Sequence, residues 1–288
     1  MQNDNSKQKP LILGIKRGQF RSVDKDSKKA DQTFRAVRNK VLEAQDYRCY
    51  RCGYQSKSNE VHHLDDDHHN NALENLKVAC KLCHPYSHIG EAARPVRTLA
   101  EQAGRVPSKA AALIRVPKEL KDVIRAEDLN HLMRVIGVAL TDKSEAAHAK
   151  RLYAMLTDSE QMREFARALY GEESGINSVL PSDVAAAMSH LTDDEYNKRY
   201  EYIDDVRVLY APQYLMSLAQ GIKKQAPTIA EPAHWRVALQ GVIDDIKSRL
   251  QQAPIYNIDA YKEEESSVND LTGVRVEMSD EAEADIDE

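Results

Sequence analysis

Cysteine is scarce in this chain, long apolar runs are missing, and positive charge is in the minority. Four cysteines in 288 residues are too few for a disulfide-dense secreted scaffold. No stretch approaches the ~20 consecutive apolar residues of a bilayer-spanning helix, and the mean hydropathy of −0.61 is that of a water-soluble chain. The opening Met1-Gln2-Asn3-Asp4 is polar and predicts no export signal, so thiols reserved for metal and a reducing cytoplasm are the expectation. Forty Lys and Arg against 46 Asp and Glu give a formal net charge of −6 and a pI near 6.0, which removes any general attraction to nucleic acid. The length suits one to two domains of ~100–200 residues each.

What little cysteine there is falls as Cys49-x2-Cys52 and Cys80-x2-Cys83, and six of the ten histidines lie between His62 and His88. Each Cys-x2-Cys sets two thiolates on one tight turn, and two such turns facing each other satisfy the tetrahedral preference of Zn2+ with no open position. A structural zinc on Cys49, Cys52, Cys80 and Cys83 is therefore predicted.

Positive charge survives locally. Residues 1–60 carry fourteen Lys and Arg against seven Asp and Glu, a net +7, which reads equally as a solvated tail and helix face or as a phosphate-binding surface. A nonspecific binder using that surface would show salt-dependent binding without cleavage.

The stretch Val61-His-His-Leu-Asp-Asp-Asp-His-His-Asn-Asn-Ala-Leu-Glu-Asn-Leu, running on through Cys80 and Cys83 to His84 and His88, resembles the HNH nuclease motif, a zinc-knuckled ββα unit. Position by position, the resemblance implies His63 as general base, Asn75 as the residue that braces it, and His62 with His84 or His88 as ligands of a second, catalytic divalent ion. The chemistry suits those residue types: an ion neutralises charge on a scissile phosphate, and a neutral imidazole accepts a proton near pH 7. His84 and His88 stand one helical turn apart, although Pro85 restricts His84 towards an extended conformation. Asp65, Asp66 and Asp67 depart from the motif, which often carries Pro and Gly there, and would repel a phosphate unless offset. His68 and His69, in an Asp- and Asn-rich loop, are expected to be solvated. The other reading of His62, His63, His84 and His88 is a degenerate site kept with the fold and without chemistry.

Along the chain, Leu11-Ile-Leu-Gly-Ile15 reads as a short edge strand, and Phe34, Val37, Val41 and Leu42 recur at helical spacing after an N-cap at Asp31. Residues 116–220 read as helical throughout, with stripes at Leu129/Leu132/Met133/Ile136/Leu140, Leu152/Met155/Leu156 and Met162/Phe165/Leu169. Pro181 opens a helix, Thr192 and Glu195 form a capping box, and the tyrosines after it read as core rim. Trp235, Leu239, Val242, Ile243, Ile246 and Leu250 mark an amphipathic helix that packs on the domain or docks on a partner. The last stretch, rich in Glu and Asp, reads as disordered. The expected layout is α+β: a basic segment at 1–30, an HNH-like ββα zinc module at 31–95, an all-helical domain at 110–220, the amphipathic helix at 228–252 and a disordered acidic tail at 253–288.

Arg48-Cys-Tyr-Arg-Cys-Gly-Tyr-Gln55, Asn70-Asn-Ala-Leu-Glu-Asn-Leu-Lys-Val-Ala-Cys-Lys-Leu-Cys83, Ala126-Glu-Asp-Leu-Asn-His-Leu132, Tyr170-Gly-Glu-Glu-Ser174 and Asp205-Val-Arg-Val-Leu209 occur in an order that resembles the IcmJ (DotN) family of type IVB secretion systems. The resemblance implies an HNH-like zinc fold used structurally in a coupling complex for secretion or conjugation, at the cytoplasmic face of the inner membrane. Its partners would be a type IV coupling protein and its adaptors, with membrane association through them; DNA enters under the alternatives of an active HNH endonuclease or of a nonspecific nucleic-acid binder. The chain departs from that structural role by keeping His62, His63, Asn75, His84 and His88 together.

Overall fold

A computed structural model describes residues 11–16, 27–89, 110–225 and 232–252. Most of the basic segment, the connection at 90–109 and the acidic tail lie outside these residues. The chain divides into a first compact unit that ends at Ile246 and a second that begins at Lys247, of which the described part is the end of one helix.

Helix α1 (Ser27–Ala44) starts four residues before the expected cap. Its Val41 and Leu42 are buried with Val61, Leu76 and Val78, and Phe34 and Val37 pack on the same small core. The apolar strand residues come from β1 (Glu60–His63) and β2 (Leu76–Ala79), which pair antiparallel with Val61 opposite Val78 and His62 opposite Lys77. The one-turn helix α2 (His84–Ser87) follows directly from the second Cys pair and takes Pro85 in its first turn, a position where the missing N–H costs nothing.

Leu11, Leu13 and Ile15 are buried, but the segment forms no strand. It runs extended against α2, where Gly14 N donates to Tyr86 O (2.7 Å) and Ile89 N to Gly14 O (2.7 Å). A Cβ at Gly14 would stand 3.0 Å from the Tyr196 hydroxyl and 3.2 Å from Ser87 O, so the residue's lack of a side chain permits this approach.

The stretch expected to be all helical contains a sheet. β3 (Ala110–Arg115) pairs antiparallel with β4 (Val206–Tyr210), Leu113 opposite Val208 and Arg115 opposite Val206. All five β4 residues are buried, so the strand carries no alternation for a sequence reading to detect, and a short apolar run does not separate strand from helix. Arg207 is accommodated in this buried strand by donating to the carbonyls of Asp204 (2.6 Å), Lys121 (2.8 Å) and Ile124 (3.1 Å).

The remaining α-helices among the described residues are α3 (Ala126–Leu140), α4 (Ala146–Thr157), α5 (Glu160–Tyr170), α6 (Pro181–Ser189), α7 (Asp193–Asn197), α8 (Tyr200–Ile203), α9 (Pro212–Gln225) and α10 (Pro232–Gln252); α3 packs on β4, and α5 and α6 on β3. The stripe on α3 is buried at Leu129, Met133 and Ile136. On α4 Ala149 is buried and Leu152 and Leu156 pack half-buried on the core, while Met155 is 72% exposed; on α5 Met162, Phe165 and Ala166 are buried and Leu169 is exposed. The capping box forms at α7, where Glu195 N donates to Thr192 Oγ1 (3.3 Å) and Thr192 N to Glu195 Oε2 (2.8 Å). Tyr196 anchors the N-terminal segment through its hydroxyl, which accepts from Ile15 N (2.8 Å), whereas Tyr200 and Tyr202 are exposed. On α10 the side chains of Trp235, Leu239, Val242 and Leu250 lie outside the described residues, and Val237 is 73% exposed. Among the described residues no helix is long and apolar enough to cross a membrane.

One core joins the two halves, running from Leu82 and Tyr86 to Met133, Val208 and Leu215. Tyr86 Oη accepts from Val208 N (2.9 Å), Tyr210 Oη donates to Leu82 O, and Tyr214 Oη donates to Lys81 O (3.1 Å). Helices α3 and α9 come close at Gly137, where a Cβ would lie 2.7 Å from Leu215 O. Gly137→Ala is therefore expected to destabilise by about 1–3 kcal/mol despite its better helix propensity, because the clash is with backbone. A chemical-denaturation midpoint equal to wild type would show that the helices separate freely.

Candidate metal centres and the histidine pocket

The four Sγ atoms of Cys49, Cys52, Cys80 and Cys83 lie within 4.8 Å of one another. The two turns that carry them are built by backbone bonds. Gly53, at φ +73°, closes the first with its N–H on Cys49 O (2.9 Å); in the second, Cys83 N donates to Cys80 Sγ (3.3 Å) and His84 N to Cys80 O (2.9 Å). Cys52 and Cys80 approach to 3.7 Å, close to the ~3.8 Å between sulfurs that share a tetrahedral zinc at ~2.3 Å. All four are free cysteines. Burial opposes a thiolate at Cys80, but bonds from the other three thiols and the charge of Arg134 outweigh it and hold that group well below the usual thiol range. The donor set fits zinc.

Helix α3 supplies the outer layer of this centre. Arg134 Nη2 donates to Cys80 Sγ (2.8 Å) and Cys52 Sγ (3.3 Å), and Asn130 Nδ2 to Cys83 Sγ (3.4 Å). His131 Nε2 donates to Cys52 O (3.1 Å), which leaves Nδ1 to accept from Arg134 Nη1 (3.0 Å). Burial and then Arg134 hold the His131 pKa down, in keeping with that neutral tautomer. Sequence reading gave His131 no role and did not single out Arg134.

The second cluster takes one ring nitrogen from each of His62, His84 and His88, again within 4.8 Å. The three rings meet edge to face at centroid distances of 5.1–5.2 Å. His62 comes from the end of β1; His84 and His88 come from α2 and the residue after it. Burial first, and the His84 charge second, push His62 down to about 3 and His88 to about 2, so both stand as the neutral, metal-binding imidazole at neutral pH. His84 Nδ1 donates to Glu60 Oε2 (2.6 Å), which turns Nε2 into the ligating atom in the carboxylate-histidine manner common at metal sites. This set also fits a divalent ion.

Around the three rings opens a cavity of about 430 Å3 whose lining includes Lys16, Arg38 and Lys81 beside His63 and Asp66. His63 packs against Phe34 (5.2 Å) and His68 (5.0 Å). Its Nε2 donates to Asn71 Oδ1 (3.2 Å), making Nδ1 the basic nitrogen. Asn75 grips the loop instead: its Nδ2 donates to Asp65 Oδ1 (2.8 Å) and Asn70 O (2.9 Å), and its Oδ1 accepts from Asp65 N (3.2 Å). The expected solvation holds for exposed His69 and fails for His68, which is half-buried on the cavity wall. Glu60 and Asn71 also belong to the site and carried no sequence signal of their own, whereas Asp66, read from sequence as a repulsive departure from the motif, lines the same cavity.

No family model matches the chain. Over 187 residues it is 26% identical to the type 4 apparatus protein DotN of Legionella pneumophila, a match covering 61% of this chain and 79% of the relative. The chain is similar to a secretion-apparatus protein.

Proposed function

We propose that this protein is a zinc-stabilised structural component of a type IVB secretion or conjugative plasmid-transfer system. Its place is the coupling complex at the cytoplasmic face of the inner membrane, where a coupling protein and adaptors hold it. The similarity to DotN over 187 residues carries this reading. The buried four-cysteine centre supports it, since a closed tetrahedral site offers structure and no open position. Deleting the gene from its host is expected to abolish transfer of protein or plasmid. Restoring the wild-type chain or His63→Ala recovers transfer, and Cys80→Ala does not. Transfer that persists without the gene would overturn the assignment.

The three-histidine cluster favours a second reading, a metal-dependent HNH-type DNA endonuclease. A bound divalent ion would polarise the scissile phosphate and neutralise the leaving oxygen. Lys16, Arg38 and Lys81 on the cavity wall supply positive charge where the chain as a whole has none to spare. His63, steadied by Asn71, accepts a proton from water at Nδ1. Plasmid nicking in Mg2+, Mn2+, Ni2+ and Zn2+ tests this; under the nuclease reading His63→Ala loses at least about a hundredfold in rate. One zinc per chain and no cleavage above a mock preparation would end it.

A further inference from the structure

The segment from Leu11 to Lys16 lies across the molecule as a strap, held by bonds to residues far along the chain. Gly14 is tied on both sides to the element that carries His84 and His88, through Tyr86 O and Ile89 N. Helix α7 grips the next residue: Tyr196 Oη accepts from Ile15 N (2.8 Å) and donates to Ile15 O (3.0 Å). Arg199, whose guanidinium lies over the Tyr196 ring at 4.0 Å, donates from Nε to Leu13 O (2.9 Å). One hydroxyl that serves both the N–H and the C=O of a residue uses its donor and its acceptor capacity together, and fixes that residue in place and in direction.

What the strap delivers is Lys16, which follows the clamped Ile15 directly and lines the histidine cavity with Arg38 and Lys81. The three cations come from separate parts of the fold: the strap, α1, and the turn between Cys80 and Cys83. Two carboxylates share the lining, Glu60, held by His84 at 2.6 Å, and Asp66. The charge of Lys16 is felt inside: burial raises the Asp66 pKa to about 6, and Lys16 is the strongest charge opposing that rise. With His62 and His88 neutral, the cavity wall carries an excess of positive charge in a chain of net −6. A recess lined by one sign of charge focuses its field on a ligand of the other.

We propose that the strap completes a phosphodiester-binding site at the histidine cavity, where Lys16 contacts a backbone phosphate of DNA and Tyr196 is the positioning residue that holds Lys16 there. This inference rests on the second reading, to which it adds a phosphate contact outside the motif, and it requires binding and not cleavage. It makes the helical half of the chain part of the site, since the residue that aims Lys16 stands 181 positions beyond Ile15.

The test uses the full chain with zinc at its cysteine centre and a short fluorescein-labelled DNA duplex, followed by anisotropy over a range of NaCl concentrations without added divalent ion. Wild type is expected to bind, more weakly as salt rises. Lys16→Ala is expected to weaken binding about tenfold at low salt and to lower the slope of log affinity against log salt by about one, the loss of a single phosphate contact. Tyr196→Phe keeps the ring under Arg199 and removes the hydroxyl; it is expected to produce most of the same loss, and the double variant no more than Lys16→Ala alone. Lys40→Ala, which removes an exposed cation of α1 outside the cavity lining, serves as the control and leaves the slope unchanged. No binding by wild type, a wild-type slope in Lys16→Ala, or an equal fall in Lys40→Ala would overturn the site. Losses that add in the double variant would overturn the positioning role of Tyr196. Binding that depends on Lys16 without any nicking would end the nuclease reading and leave the phosphodiester site in place.

Discussion

Chelating the metal from the four cysteines, or replacing Cys80 by alanine, is expected to unfold the first unit cooperatively. The four sulfurs are not on a peripheral finger: Cys49, Cys80 and Cys83 lie in the same core as Leu13, Met133, Val208 and Leu215. Binding of structural zinc in small modules contributes about 10–16 kcal/mol, which equals or exceeds the roughly 5–15 kcal/mol net stability of a typical domain. Without the ion, four thiols, three of them buried, and the charge of Arg134 face one another uncompensated. Far-ultraviolet circular dichroism during heating, with and without chelator, reads the effect. A chelated or Cys80→Ala chain that melts within a few degrees of wild type would show the fold to be independent of the centre.

Arg134→Met is expected to produce the second largest loss. The guanidinium is buried, touches the Cys52 and Cys80 sulfurs and lies over the Tyr54 ring at 4.2 Å. Removing one member of a buried charge pair costs about 3–5 kcal/mol because the other is left unpaired. For a unit of this size that corresponds to a fall in melting temperature of roughly 10 °C. Zinc is also expected to leave faster, measured as release to a chromogenic chelator. Arg134→Lys recovers only part of both, since an ammonium is a point charge and not a fork that spans two sulfurs. Unchanged melting and release in Arg134→Met would reduce the guanidinium to a packing element.

The two ligand clusters were legible because their signals are local. Cys-x2-Cys fixes a turn by itself, and the spacing of His84 and His88 brings two rings together once α2 forms. The anticipated obstacle at Pro85 did not arise, because a first-turn proline gives up an N–H that has no intrahelical partner. Contacts between distant segments were not legible. Arg134 reaches Cys80 across 54 residues and His131 reaches Cys52 across 79, and neither leaves a mark on the amphipathic pattern of its helix. Strand β4 was missed because burial on both faces erases alternation. The brace on His63 was placed at Asn75 by motif order, yet the carboxamide against the ring is Asn71, four residues earlier in the same loop.

The peptide bond between Cys83 and His84 joins the two candidate ligand clusters, with His84 N tied back to Cys80 O at 2.9 Å. Nothing separates them that could absorb a change in one without moving the other. If both clusters hold ions, occupancy is expected to be hierarchical, with the histidine set taking its shape from the cysteine set and filling after it. A molecule deprived of zinc would then be expected to forfeit both clusters, whereas one deprived of a second ion would keep its architecture.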